Sequence, residues 1–265
     1  SSDVLALAAG FDRPDEAAWL KLVDKALKGA PFEKLVSRTA DGIEIQPLYR
    51  EPVGDSGVPG ASPFWRGATP AGSSVCGWDL RPFHAHPDPE MANRAILDDL
   101  EHGATSVALK LDTAFAQGDD EPDGIMAYDA ADLGRVLDGV MFELAPVQLD
   151  APGRGVEAAE ALLAVIAERG DAQVGIRAEL GLDPVGAVAL GRADPEGALE
   201  PTLALLHRLI GDWPKLGLLH VDAEIYHAAG ASEAQELAAA IATGIAYLRA
   251  ADAAGLPPEL VAPRM

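Results

Sequence analysis

The feature that most constrains this chain is an alternation that begins at Pro87 and runs almost to the last residue. Helix-like stretches, with apolar residues three and four apart, are separated by short apolar runs, several of which close on an acid. PDPEMANRAILDDLEHGA opens on proline and acid and stops at Gly103, as a helix does. TSVALKLD follows as a strand closing on Asp112, and QGDDEPDG reads as a solvated surface turn. The pattern then predicts helices over 130–137, 156–169, 198–210 and 232–250, and strands in GVMFELA, AQVGIRAEL and KLGLLHVDAEI. PVGAVALG, after Asp183, has no clear type. In the last helix Ser232 and Gln235 make a capping box, and Leu237, Ile241, Ile245 and Leu248 form the stripe expected to be buried.

Strand and helix in turn at this spacing call for a parallel sheet with right-handed crossovers. Short strands with acids at their ends suit a barrel better than an open dinucleotide-binding sheet, and no G-x-G-x-x-G follows the first strand. About five strands can be counted where a closed barrel needs eight. The expected fold is therefore α/β, a partial or complete (β/α)8 TIM-type barrel over 103–265, truncated and with an edge to protect.

Residues 1–102 read differently, as an N-terminal helix and an extended wrapping segment. DEAAWLKLVDKALKG is amphipathic, with Trp19, Val23, Ala26 and Leu27 on one stripe and Gly29 as its stop. Asp41–Gly42 is a tight turn before a strand over 43–46. Residues 51–74 are dense in Pro, Gly and Ser and carry little periodicity, as a segment lying on something else would.

Charge narrows the partners. The 42 acidic residues against 20 basic ones give a formal net charge of −22. That field repels phosphate backbones and anionic headgroups, so neither nucleic acid nor membrane is an expected partner. No apolar run reaches the roughly 20 residues that span a bilayer, and the N-terminus lacks a secretory pattern. The single cysteine, Cys76, forbids an internal disulfide. Together these features predict a cytoplasmic protein.

The residues alone leave the chemistry open. Asp112, Glu143, Asp222 and Glu224 fall at predicted strand ends, and with His220 they could serve an independent barrel enzyme built around a divalent metal. Equally, they could pair with Lys110, Arg177 and His220 as charged plugs in a filled barrel. His84 and His86 could form a two-histidine clamp or be ordinary loop residues. No phosphate loop, nucleophile elbow or cysteine pair occurs.

Several blocks together resemble the methylmalonyl-CoA mutase family: PFEKLVSRTADGIEIQPLYR, then WDLRPF and PEMANRAILDDLEHGATSVALKLD, then YHAAGASEAQELAAAIATGIAYLRAADAAGL and VAPRM. The resemblance implies a substrate barrel that carries a CoA thioester along its axis. It also implies a separate adenosylcobalamin domain and a radical 1,2-shift between methylmalonyl-CoA and succinyl-CoA. The departures are specific. Active members have I-R-Q-Y-A-G where this chain has LRPFHA, so the arginine survives as Arg81 and the tyrosine is replaced by Phe83. Aligning Ala229–Gly230–Ala231 with S-G-Y-H-M-Q-E-A-G-A puts Ile225 at the family histidine and Glu224 at its tyrosine. Tyr226–His227 is then one step out of register, which in a strand means the opposite face.

Leu218, His220 and Asp222 stand where active members keep small serines, and are expected to fill the lumen. An arginine that holds the substrate carboxylate corresponds to Glu200. The cobalamin motif D-x-H-x-x-G and its whole domain are absent from this sequence. The resemblance is greatest to the small, non-catalytic subunit of the heterodimeric bacterial enzyme. It implies no catalytic residue, no cofactor bound by this chain, Arg81 as a candidate CoA contact or else a structural ion pair within the N-terminal segment, and a catalytic mutase subunit as partner. Adenosylcobalamin is then implied for the holoenzyme.

Overall fold

A computed structural model describes residues 10–11, 15–49, 54, 57–72, 77–115, 118–171 and 173–265. Cys76 lies outside them, as does part of the 51–74 stretch. The chain divides into two compact units, 1–72 and 73–265.

In the first unit, α1 (Glu16–Leu27) starts at Asp15, whose carboxylate accepts from Ala18 N at 2.8 Å. Trp19 meets Phe32 edge to face, ring centroids 6.0 Å apart. A short hairpin follows, β1 (Ser37–Arg38) antiparallel to β2 (Glu44–Ile45), with Gly42 at φ +83° in its turn and an Arg38–Glu44 ion pair across it. None of the described residues of this unit is buried.

The second unit is built on one five-stranded parallel sheet of order β3-β4-β5-β6-β7. Its strands are β3 (Phe83–His84), β4 (Val107–Lys110), β5 (Val147–Asp150), β6 (Ala178–Leu182) and β7 (Leu216–Leu219). The sheet thus draws its first strand, and α2 (Pro89–Glu101) after it, from before residue 103. The longer crossovers are α3 (Ala130–Val136), α4 (Gly155–Arg169) and α6 (Leu199–Leu209), with the short α5 (Pro184–Ala189) after β6. After β7 come α7 (Glu224–Ala228), α8 (Glu233–Ala253) and α9 (Pro258–Val261). A parallel sheet with crossover helices is the partial (β/α) barrel that the alternation predicts.

Register sorts the side chains. Val107, Val147, Ala178 and Leu216 are neighbours across the strands and are buried on one face, with Leu109, Leu149, Leu180 and Leu218 on the same side. Helix residues such as Ile96, Leu133, Leu162 and Leu206 complete that core. Phe83, Ala108, Gln148, Glu179 and Gly217 share the opposite face, the one that would line a barrel. Leu218 therefore does not fill the lumen. Parity puts it under the helices, and the lumen side receives Gly217 and Leu219.

Three further expectations are corrected. GVMFELA is not a strand: 142–144 turn, and Phe142 and Ala145 plug the core while Arg169 lies over the Phe142 ring at 4.7 Å. The strand is the less apolar Val147–Asp150, because alternate residues face the lumen. KLGLLHVDAEI is a strand only over Leu216–Leu219, and its last residues turn into α7 when Glu224 N binds the Asp222 carboxylate at 2.9 Å. Finally, α8 has the capping box but buries Thr243, Gly244, Tyr247 and Ala251. With that face inward, Tyr247 included, Leu237, Ile241 and Ile245 turn outward, and of the expected stripe Leu248 alone packs partly against the core.

One buried node ties this unit together. Asp183, just after β6, caps α5 through Gly186 N (2.8 Å), accepts from Asp222 N beyond β7 (2.9 Å), and accepts from the Tyr247 hydroxyl of α8. That hydroxyl also accepts from Val185 N at 2.9 Å. Tyr247 is 1% exposed, and burial together with the Asp183 carboxylate pushes its pKa upward. Tyr247→Phe leaves a buried amide and carboxylate short of a partner, so it should cost about 1–3 kcal/mol in urea unfolding with an unchanged m-value.

Candidate functional site

Parallel α/β folds gather function at the carboxyl ends of their strands, because every crossover returns the chain to that edge. A cavity of about 370 Å³ opens there. Its wall includes Phe83 on β3, Asp150 at the end of β5, Asp183 after β6, and His220, Asp222 and Ile225 after β7. Phe83 and Ile225, far apart in sequence, are thus brought to one cavity. These are the positions where the resemblance places the tyrosine and the histidine.

Tyr226 and His227 do not line it. Their exclusion has a different cause from the one expected: they lie on α7, where one step is about 100°, rather than on a strand. His227 faces away and pairs through Nδ1 with Glu236 at 3.0 Å.

The strand-end acids separate into different roles. Asp112 is fully buried, and its carboxylate accepts from Asp123 N (2.9 Å), Phe115 N (3.2 Å) and the Tyr128 hydroxyl (2.7 Å). Burial first, and then that carboxylate, push the Tyr128 pKa up to about 12. Asp112 is a loop anchor. Asp123 is not the purely solvated residue its acidic run suggests. It accepts from Thr113 N (2.7 Å) and Ala114 N (2.9 Å) and faces Lys110 Nζ at 3.9 Å. Burial opposes its ionisation, but the two amides and Lys110 hold it down at about 2. Glu143 is exposed in the turn before β5, at the opposite end of the strands from Asp112 and Asp222. Glu224 is exposed on the first residue of α7, at the cavity rim.

Asp150 is the site residue that sequence reading misses, because the strand containing it was assigned to GVMFELA. Burial, followed by the nearby Asp222 and Asp123 charges, raises its pKa against the opposing effects of Lys110 and His220. Among the described residues the cavity wall holds Asp150, Glu157, Asp183, Asp222 and Glu224 and no lysine or arginine. Among the described residues no group of three or more His, Cys, Asp or Glu side chains is placed to hold a metal ion. No described helix is long and apolar enough to cross a membrane.

Arg81 lines a smaller space of about 190 Å³ on the lumen face, with Gln148, Glu179 and His220 among its neighbours. Its guanidinium is already engaged: Nε donates to Ser106 Oγ (2.9 Å) and Asp79 (3.0 Å), Nη1 to Gln148 Oε1 (2.6 Å), and Nη2 pairs with Asp79 at 2.8 Å. Burial works against the Asp79 charge, but hydrogen bonds from Ser106 and Thr105 and the Arg81 charge bring its pKa below the usual value. Arg81 braces the entry to β3 against β4 and β5.

The raised pKa of Asp150 fixes a sign. Its charge costs stability above the folded-state pKa, and that cost disappears once pH falls below the ordinary carboxylate value. Asp150→Asn should therefore raise the Tm at pH 7, and calorimetry across pH should show the gain vanishing below about pH 4.

Comparison with known proteins then places this geometry. The family model described as methylmalonyl-CoA mutase matches residues 38–265. A methylmalonyl-CoA mutase small subunit from Streptomyces virginiae is 40% identical over 97% of this chain and 41% of its own length. The small subunit from Propionibacterium freudenreichii subsp. shermanii is 36% identical over 93% of this chain and 38% of its own length. The mitochondrial methylmalonyl-CoA mutase of Bos taurus is 24% identical over 96% of this chain and 36% of its own length. The chain spans about two-fifths of the length of these relatives. With the family model covering most of the sequence, the chain belongs to the methylmalonyl-CoA mutase family.

Proposed function

We propose that this chain is the barrel part of a non-catalytic small subunit, which stabilises a catalytic mutase subunit by pairing with it. The observation that carries the reading is the cavity at the strand ends, where Phe83 and Ile225 both stand in the wall. Neither side chain can donate or accept a proton or a hydrogen bond. A phenylalanine there has no hydroxyl to offer an adenosyl group. An isoleucine cannot polarise a thioester carbonyl as a hydrogen-bonding histidine would.

The remaining groups do not compensate. A wall of carboxylates without lysine or arginine opposes the phosphates of CoA and the carboxylate of a malonyl group. Of the described histidines only His220 lines the cavity. No D-x-H-x-x-G motif occurs in the sequence. Arg81, the one substrate position kept, serves ion pairing with Asp79 first. Closure of the sheet into a full (β/α)8 barrel belongs to the same proposal, as does a cytoplasmic location. The rival reading, an independent metal-dependent barrel enzyme, needs Asp112, Glu143, Asp222 and Glu224 to converge. Asp112 is consumed by its loop and Glu143 lies at the other end.

The first unit supports pairing. None of its described residues is buried, while Leu22, Ile43, Tyr49, Val58 and Trp65 are all more than half exposed. A segment that buries so little cannot offset its own ordering entropy, and a partner surface would supply the missing burial. The purified chain with adenosylcobalamin and methylmalonyl-CoA should show no isomerisation. Phe83→Tyr with Ile225→His should show none either, because the acidic wall remains. Turnover by the unmodified chain would sink the proposal.

A further inference from the structure

The two histidines of RPFHAH do not act as a pair. His86 lies past the end of β3, where its Nδ1 accepts from Asp88 N at 3.1 Å, at the start of α2. His84 is the last residue of β3 and is 7% exposed. Its register partner is Leu109, so its ring lies on the helix-covered face of the sheet, opposite Phe83. Among the described residues its Nε2 is the one buried side-chain nitrogen or oxygen without a hydrogen bond.

The groups around that nitrogen decide what it can do. β3 packs on β4 and α2. β4 presents Leu109, which is buried and carries no charge. On α2 the charged group that faces the ring is the Asp99 carboxylate, 3.5 Å from Nε2 and 46% exposed. His102, just beyond the end of α2, pairs with Asp98 and is itself exposed. A neutral ring can leave Nε2 as a bare acceptor, whereas an imidazolium donates from both nitrogens. Burial therefore works against the proton, and a half-exposed carboxylate beyond normal bond length offsets only part of that cost. The result is a His84 pKa below the ordinary histidine value.

Protonation thus opposes packing at a short strand. β3 has two residues and pairs with β4 at two positions, Phe83 with Ala108 and His84 with Leu109. Phe83 stands in the cavity wall, on the face away from His84. We propose that His84 is an acid-sensitive latch between β3 and α2: neutral, it lets the strand pack, and protonated, it releases the strand and moves Phe83 with it. The folded state binds this proton less readily than the unfolded one. The contribution to stability is therefore complete above about pH 6.5 and is lost as pH falls from there through the folded-state pKa.

The test follows two amides of β4 by hydrogen exchange and the His84 ring by NMR, from about pH 7.5 to about pH 5. Ala108 N donates to Pro82 O at 3.0 Å, at the entry to β3, and Val107 N donates to Pro146 O at 2.9 Å, beside β5. The His84 pKa should lie below about 6.5, and the Ala108-to-Val107 exchange ratio should rise as pH falls, about tenfold for each pH unit by which it does so. His84→Leu should flatten the ratio. Asp99→Asn, at a half-exposed position, should enlarge the rise, because it removes the charge that opposes the effect of burial. A His84 pKa at or above about 6.5 overturns the proposal in favour of a closed His84–Asp99 ion pair. So does a ratio that is flat with pH, or one that rises equally in His84→Leu. Should that variant fail to fold, a rise unchanged in Asp99→Asn overturns the latch as well. No partner or substrate enters these readouts, so their outcome is independent of the pairing proposed for residues 1–72.

Discussion

Everything in residues 73–265 depends on burying one face of a parallel sheet beneath its crossover helices. Val107, Leu109, Val147, Leu149, Leu216 and Leu218 are fully or almost fully buried on that face, and each core helix aims its apolar stripe at them. A buried leucine or valine contributes about 1.5–3 kcal/mol relative to exposure, so this one-sided core fixes both register and helix placement. The other face is thereby free to carry Gln148, Glu179 and Gly217, and to open at its carboxyl end into the cavity. Asp183 then joins β6, β7, α5 and α8 at that same end. The cavity at that end is walled by Phe83, Ile225 and five carboxylates.

This separation of scaffold from chemistry is intelligible physically. Core packing depends on apolar shape and periodicity, and tolerates loss of function at a few polar positions. Phe83 and Ile225 alter no strand and no helix. Both side chains are apolar and stand in a cavity wall that also holds Asp150, Glu157, Asp183, Asp222 and Glu224. Arg81, by contrast, remains tied to Asp79, Ser106 and Gln148, where its loss would unpin the start of the sheet.

Much of the architecture is legible in the sequence because helix periodicity and caps are local signals. The proline and acid that open α2, the Gly103 stop and the Ser232 capping box all lie at or beside helix ends. Strands were harder to place for a physical reason. VQLD alternates because one side faces the lumen, while GVMFELA is more apolar because it plugs the core beneath a turn. That displacement hid Asp150 and misplaced Glu143. The stripe on α8 differs from the expected one because the helix turns Thr243, Gly244, Tyr247 and Ala251 inward, where the Tyr247 hydroxyl meets Asp183. Phe83 and Ile225 were found through family motifs, and their meeting in one cavity needed the three-dimensional structure.

On the proposed pairing, α1 and the β1–β2 hairpin, which bury no residue of their own, become ordered on the surface of a catalytic subunit. Hydrogen exchange of the intact chain, alone and mixed with a cobalamin-binding catalytic mutase subunit, tests it most directly. Amides in α1 and the β1–β2 hairpin should exchange rapidly in the free chain and become protected by about two orders of magnitude or more in the mixture. Unchanged exchange in both elements, with no complex formed, would contradict it.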